Sequence, residues 1–73
     1  MIALTKRNGE RFLVNHFQIA CIELIPETKI VMMNRDYYLV LETADEIIKK
    51  ITRYNAKVQD VYREVKIVDK RER

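Results

Sequence analysis

The residues that could take part in catalysis or metal binding are few. His16 is the only histidine, Cys21 is the only cysteine, and the chain contains no serine. One subunit therefore cannot supply the usual His and Cys ligands of a zinc site, and no threonine hydroxyl has a base that the sequence places beside it. The single glycine, Gly9, excludes a glycine-rich phosphate loop. We expect neither an enzyme nor a cofactor, with His16 in a surface connection and Cys21 as a buried apolar residue.

Three carboxylates lie close together in the sequence, at Glu42, Asp45 and Glu46. The spacing of three from Thr43 to Glu46 is that of a capping box, in which each side chain accepts a hydrogen bond from the other residue's backbone N–H. Negative charge is also stabilised near the N-terminus of a helix by the helix dipole. The pattern predicts the start of a helix at Thr43 and explains these carboxylates without catalysis.

A cluster of basic residues surrounds the first predicted turn. Asn8-Gly9 is a strong signal for a two-residue hairpin loop, and such a loop places Lys6 opposite Arg11. Like charges in that position repel each other unless an anion or an acidic partner lies between them, although the two long side chains can also separate into solvent. Lys6, Arg7 and Arg11 are therefore the candidate contact residues for an anion or an acidic partner.

The net charge of +3 is unevenly distributed along the 73 residues. Residues 1–48 contain five Lys and Arg against seven Asp and Glu, whereas residues 49–73 contain nine against four. A basic segment of this kind can contact nucleic acid, anionic lipid or an acidic protein surface, or it can be the solvated face of a helix. Peripheral proximity to a membrane stays open, but no apolar run is long enough to span one. The single cysteine and the absence of an N-terminal signal segment predict a cytoplasmic protein.

Five short runs have β-compatible composition and are separated by turn residues. They predict a small antiparallel β-meander with strands at residues 2–6, 10–15, 19–25, 29–33 and 37–41. The capping box then predicts one long C-terminal α-helix, because the chain contains neither glycine nor proline after Thr43. The expected fold class is α+β, with one unit over residues 1–54 and a basic helical extension over residues 55–73.

Apolar residues recur in the predicted helix at alternating spacings of four and three, as in a heptad seam. The first turns would pack on the subunit's own sheet, while the later positions would extend beyond so small a domain and need a second chain to cover them. β-branched residues at both seam positions slightly favour a trimer or tetramer over a dimer. A strand over residues 61–68 and a frayed tail are the alternatives. The candidate oligomer interface consists of Tyr54, Val58, Val61, Val65 and Val68.

Several short motifs follow one another over residues 1 to about 54. They are Met1-Ile2-x-Leu4-Thr5, Asn8-Gly9, Asn15, Ile22-Glu23, Pro26-Glu27-Thr28-x-Ile30, Asn34, Tyr38-x-Val40-x-Glu42 and Glu46-Ile47-Ile48. Their order resembles the FlbD/SwrD family of bacterial flagellar and swarming motility proteins. The resemblance implies a cytoplasmic accessory protein that acts by protein–protein interaction and supports a motor or stator component, with no catalytic residues. The sequence departs from the family pattern at the fourth turn, where Asn34-Arg35-Asp36 replaces a second Asn-Gly.

The chain begins with Met1-Ile2-Ala3-Leu4-Thr5-Lys6 and Gly9-Glu10, followed by the predicted meander and helix. This arrangement also resembles a second family, the carbon storage regulators, which are RNA-binding dimers. This resemblance implies an RNA-binding post-transcriptional regulator as the alternative function. In that family an arginine near the end of the last strand helps to hold RNA, but here the matching stretch contains Glu42. An acidic residue at that position disfavours nucleic acid as the partner.

Overall fold

The computed structural model describes residues 1–58 and 65–71 of the chain. The predicted α+β class is confirmed, since this part contains several short strands and one α-helix. All five predicted strands form within one or two residues of their expected positions. The connection between the second and third strands contains a 3₁₀ helix at His16–Gln18. The remaining elements are β1 (Ile2–Thr5), β2 (Arg11–Val14), β3 (Ile19–Leu24), β4 (Thr28–Met32), β5 (Tyr37–Val40), α1 (Ala44–Val58) and β6 (Lys66–Asp69).

The strands form two sheets instead of the single five-stranded meander that we predicted. β1 and β2 form a hairpin, whereas β5, β4, β3 and β6 form a mixed four-stranded sheet in that order. An isolated bridge between Lys6 and Val40 and a 2.9 Å hydrogen bond from the Leu41 N–H to the Thr5 carbonyl connect the hairpin to β5. Consecutive strands β2 and β3 do not pair, because the 3₁₀ helix, which begins with an Asn15 side-chain cap, separates them.

The first hairpin has a different register from the predicted one. The Lys6 N–H donates to the Glu10 carbonyl at 2.8 Å, and the Gly9 N–H donates to the Lys6 carbonyl at 2.9 Å. Gly9 has a φ of 93°, which completes a three-residue loop with a left-handed final residue. Lys6 consequently lies opposite Glu10, and Arg11 pairs with Thr5. The predicted opposition of Lys6 and Arg11 is wrong.

The hydrophobic core lies between the sheets and one face of α1. Alternate strand residues point into it, and Ile47 and Ile51 contribute from the helix, so the expected packing of the first helical turns on the subunit's own strands is confirmed. The capping box also forms, with the Thr43 N–H 2.8 Å from Glu46 Oε1 and the Glu46 N–H 3.1 Å from Thr43 Oγ1. Within the described residues, no helix has the length and apolar character needed to cross a membrane. The core residues are Ile2, Leu4, Val14, Ile19, Ile22, Ile30, Val40, Ile47, Ile51 and Val65.

The prediction of one helix through to residue 73 is wrong for the end of the chain. Residues Lys66–Asp69 form β6, which pairs in parallel with β3, as the alternative of a strand in this region anticipated. β-branched residues suit a sheet, and β6 also satisfies the exposed backbone groups along the β3 edge. Val65 is buried in its own core and Val68 lies in the strand, so neither can belong to a helical seam. Val61 lies outside the described residues, and oligomerisation stays a prediction.

Because Val65 is buried in the core, we predict that a charged side chain at this position destabilises the fold. We expect Val65→Asp to lower the free energy of unfolding by at least about 2 kcal/mol, because an unpaired carboxylate would replace a packed side chain. Ile67→Asp is the matched control on the same strand, since the Ile67 side chain is 43% exposed. Urea denaturation followed by circular dichroism measures both. Equal effects of the two substitutions would contradict the placement of Val65 in the core.

Candidate functional site

The three basic residues predicted to share an anion-binding site do not lie together. Lys6 Nζ is 3.5 Å from Glu10 Oε1 and 5.2 Å above the Phe12 ring. Arg7, in the loop of the first hairpin, forms a 3.2 Å salt bridge with Glu27, which lies between β3 and β4. Both cations therefore have acidic neighbours in their own chain. Arg11 points to the other face of the hairpin, because its cross-strand pair places it beside Thr5.

Arg11 lines a cleft of about 390 Å³ between the first hairpin and α1, which we call the basic cleft. The helix contributes Lys49, Lys50 and Arg53, whose spacing of three to four residues places them on one side of α1. Sequence reasoning counted these three residues only as part of a general basic bias. Their helical spacing next to the buried Ile47 and Ile51 was the signal that could have identified them. The cleft is lined by Thr5, Arg11, Glu42, Glu46, Lys49, Lys50 and Arg53.

The Glu42 carboxylate forms hydrogen bonds inside the protein. The Thr5 N–H donates to Glu42 Oε1 and the Thr5 hydroxyl donates to Glu42 Oε2, each at 2.9 Å. Burial acts to raise the pKa of Glu42, but the two hydrogen bonds from Thr5 and the nearby Lys50 charge act against it, so that its pKa lies below the ordinary value of 4.5. Glu42 is therefore ionised at neutral pH and joins β1 to the segment that leads into α1.

Glu46 is also engaged within the chain, because its carboxylate accepts the Thr43 N–H in the capping box. Neither acidic residue of the cleft is oriented by a salt bridge to a cleft cation. Within residues 1–58 and 65–71, the side chains of Arg11, Lys49, Lys50 and Arg53 take part in none of the five salt bridges. The described residues of the basic cleft therefore carry four positive and two negative charges, and both carboxylates accept hydrogen bonds from backbone N–H groups.

Two exposed leucines neighbour residues that line the basic cleft. Leu13 follows Arg11 by two residues on β2, so both side chains project from the same face of the hairpin. Leu41 lies next to Thr5, to whose carbonyl its N–H donates. The two leucines are 68% and 59% exposed. Apolar and basic groups thus occur side by side on this surface.

The face of the four-stranded sheet that points away from the core differs from the basic cleft, because its charges are neutralised internally. Glu23 lies between Lys29 at 3.6 Å and Lys70 at 3.2 Å, and Lys29 also stacks on Tyr37 at 4.6 Å. Cys21, expected to be buried, is only half-buried here. Of the basic residues in the C-terminal third, Lys70 is therefore paired with an acidic residue at this face.

The charge of Arg71 at the end of the described chain is likewise matched by an acid. Its guanidinium donates to both Asp69 carboxylate oxygens, at 2.9 and 2.7 Å. These side-chain hydrogen bonds, together with the Arg71 backbone N–H, lower the pKa of Asp69 to about 2. Arg71 is therefore paired and is not part of an open cationic surface.

His16 is buried, contrary to our expectation of a surface residue. Its side chain is 2% exposed, and its ring centre lies 4.3 Å from that of Phe17 and 4.7 Å from that of Tyr54. Tyr54, the first residue of the predicted oligomer interface, therefore packs on its own chain. Among the described residues, no three His, Cys, Asp or Glu side chains come close enough together to hold a metal ion.

The Thr5–Glu42 contact predicts a pH dependence of stability. Because folding lowers the pKa of Glu42 below 4.5, its contribution is present above that pH and is lost as the pH falls through the folded value. We expect Glu42→Gln to cost about 1 kcal/mol at neutral pH and to flatten the loss of stability between about pH 6 and pH 3.

Urea unfolding across this pH range measures the effect, and Glu10→Gln is the control. The Glu10 side chain is 64% exposed, so we expect its substitution to change the free energy of unfolding by less than about 0.5 kcal/mol. Thr5→Val removes the hydroxyl donor from the same contact and should not add fully to Glu42→Gln. Full additivity of the two substitutions would contradict the contact.

Comparison with known proteins identifies the family. No curated protein and no solved structure matches the chain. A family model described as flagellar and swarming motility proteins matches residues 1–59, which include β1 through α1 and all residues of the basic cleft. β6 lies beyond the matched region. The match confirms the resemblance inferred from the order of motifs, and the chain belongs to the FlbD family of flagellar and swarming motility proteins.

Proposed function

We propose that this chain is a cytoplasmic accessory protein of bacterial flagellar and swarming motility that acts by binding another protein and so supports the motor or its stator. The observation that carries the proposal is the family match over residues 1–59. The association with motility follows from the family itself. The mode of action and the type of partner are our inference.

The chemistry of the basic cleft supports binding in preference to catalysis. Among the described residues that line the cleft, Thr5 provides the one hydroxyl group, which donates a hydrogen bond to Glu42. These residues include no histidine or cysteine, and both glutamates accept backbone hydrogen bonds. The Thr5 hydroxyl does have a carboxylate beside it, but the hydrogen bonds from Thr5 hold the pKa of Glu42 below its ordinary value, which makes Glu42 a weak general base for covalent catalysis. Four cations that form no salt bridge with any described residue suit recognition of negative charge instead.

Deleting the gene in a flagellated host tests the proposed function. We expect swimming and swarming to be impaired while filaments remain, because an accessory protein of the motor acts on force generation and not on filament assembly. Swimming speed in viscous medium and electron microscopy of filaments measure the two properties. Complementation with the wild-type gene is the control, and normal motility of the deletion strain under load would contradict the proposal.

A further inference from the structure

We propose that the basic cleft, together with Leu13 and Leu41, is the docking site for an acidic protein segment whose carboxylates contact the four cations and whose apolar side chains cover the leucines. This inference rests on the proposed function, because it specifies the chemistry of the protein that is bound. Nothing in the family description assigns a binding surface to the chain.

The described cations outside the basic cleft differ from those inside it in how many have an acidic partner in the chain. Lys6, Arg7, Lys29, Lys70 and Arg71 each form a salt bridge within the chain. The cleft cations Arg11, Lys49, Lys50 and Arg53 do not, within the part of the chain that the structure describes. Unneutralised cations gathered on one surface raise the local concentration of an acidic partner and accelerate its association.

The cations of the basic cleft are carried by secondary-structure elements that hydrogen bonds and core packing hold in place. Arg11 is carried by β2, while the other three are carried by α1, so the two sides of the cleft come from different elements. The Thr5–Glu42 hydrogen bonds join these elements on the hairpin side, and Ile47 and Ile51 hold the helix on the core. Elements held in this way lose less conformational freedom on binding, which favours affinity.

The chemistry of the cleft suits a protein segment better than a nucleic acid or a membrane. The described residues of the lining include no aromatic side chain on which a nucleic acid base could stack, and Glu42 and Glu46 would repel closely spaced phosphates. A flat anionic membrane would also fit a concave surface poorly. A protein segment can place its carboxylates beside the cations and away from the two glutamates. Guanidinium groups such as Arg11 and Arg53 bind carboxylates with two parallel hydrogen bonds.

The neighbouring leucines make the site amphipathic. Leu13 and Leu41 are two of the most exposed large apolar side chains among the described residues, at 68% and 59%. Burying apolar surface on binding is favourable by about 25 cal/mol per Å². The expected partner segment therefore alternates or interleaves Asp and Glu with apolar residues.

The binding experiment uses the full chain and an amphipathic peptide with Glu and Leu at helical spacing. Backbone NMR shifts should localise to Arg11, Leu13, Leu41 and the helix stripe, and binding should weaken as salt is added. The same peptide with Gln in place of every Glu should bind about tenfold more weakly or not at all. Equal binding of both peptides, or shifts located elsewhere, would overturn the proposal.

Charge reversal provides the matched variants. Lys49→Glu with Arg53→Glu should weaken peptide binding by about tenfold or more, whereas Arg35→Glu with Lys66→Glu makes the same change in net charge away from the cleft and should not. Circular dichroism verifies that both variants are folded. A mixed-sequence RNA oligonucleotide and anionic lipid vesicles serve as competing ligands, and tighter, cleft-dependent binding of either one would overturn the assignment to a protein segment.

Motility separates this inference from the proposed function. The deletion strain complemented with the Lys49→Glu and Arg53→Glu variant should remain impaired, and the Arg35→Glu and Lys66→Glu variant should restore movement. Full restoration by the cleft variant would overturn the docking site while leaving the motility role intact. Normal movement of the deletion strain itself would instead overturn the proposed function.

Discussion

The hydrogen bonds between Thr5 and Glu42 connect parts of the chain that are 37 positions apart, and the geometry of the basic cleft depends on them. The Thr5 N–H lies on the edge of β1 that faces β5, where the bridge to Val40 has already brought the two strands together. The Glu42 carboxylate occupies this edge and satisfies a backbone donor that would otherwise need water. Because Glu42 immediately precedes the helix cap at Thr43, the same contact sets where α1 begins relative to the hairpin. The two sides of the basic cleft are positioned as a result.

Within the described residues, all five salt bridges lie outside the basic cleft, although Arg35 and Lys66, which also lie outside it, form none. Glu23 on the four-stranded sheet holds two lysines, and Asp69 holds Arg71. At the basic cleft Glu42 and Glu46 accept hydrogen bonds from backbone groups and form no salt bridge with the cleft cations, so that four positive and two negative charges lie on one surface. Exposed ion pairs contribute little to stability, so leaving these cations without salt bridges costs little in folding. The described residues of the cleft therefore keep a net positive charge.

The end of the chain stabilises the domain that carries the cleft. A domain of this length buries only about 60% of its unfolded surface, so each buried apolar residue matters. β6 adds a fourth strand to the sheet and Val65 adds to the core. Both lie beyond the region matched by the family, residues 1–59. The addition covers one edge of β3, which would otherwise expose its backbone groups.

Local signals in the sequence were sufficient for the strand positions and the capping box at Thr43, because each depends on residues within a few positions of one another. The family could be inferred from the order of short motifs along residues 1 to about 54. Only the tertiary structure decided the hairpin register, where Gly9 takes the left-handed position of a three-residue loop and Lys6 pairs with Glu10. The tertiary structure also determined the secondary structure of residues 66–69. The apolar spacing around Val65 and Val68 suits a helix as well as a strand, and pairing with the edge of β3 selects the strand. The basic cleft could not be predicted from the sequence for the same reason. Arg11 and Arg53 are 42 positions apart in the chain, and the packing of α1 beside the hairpin brings them to one surface.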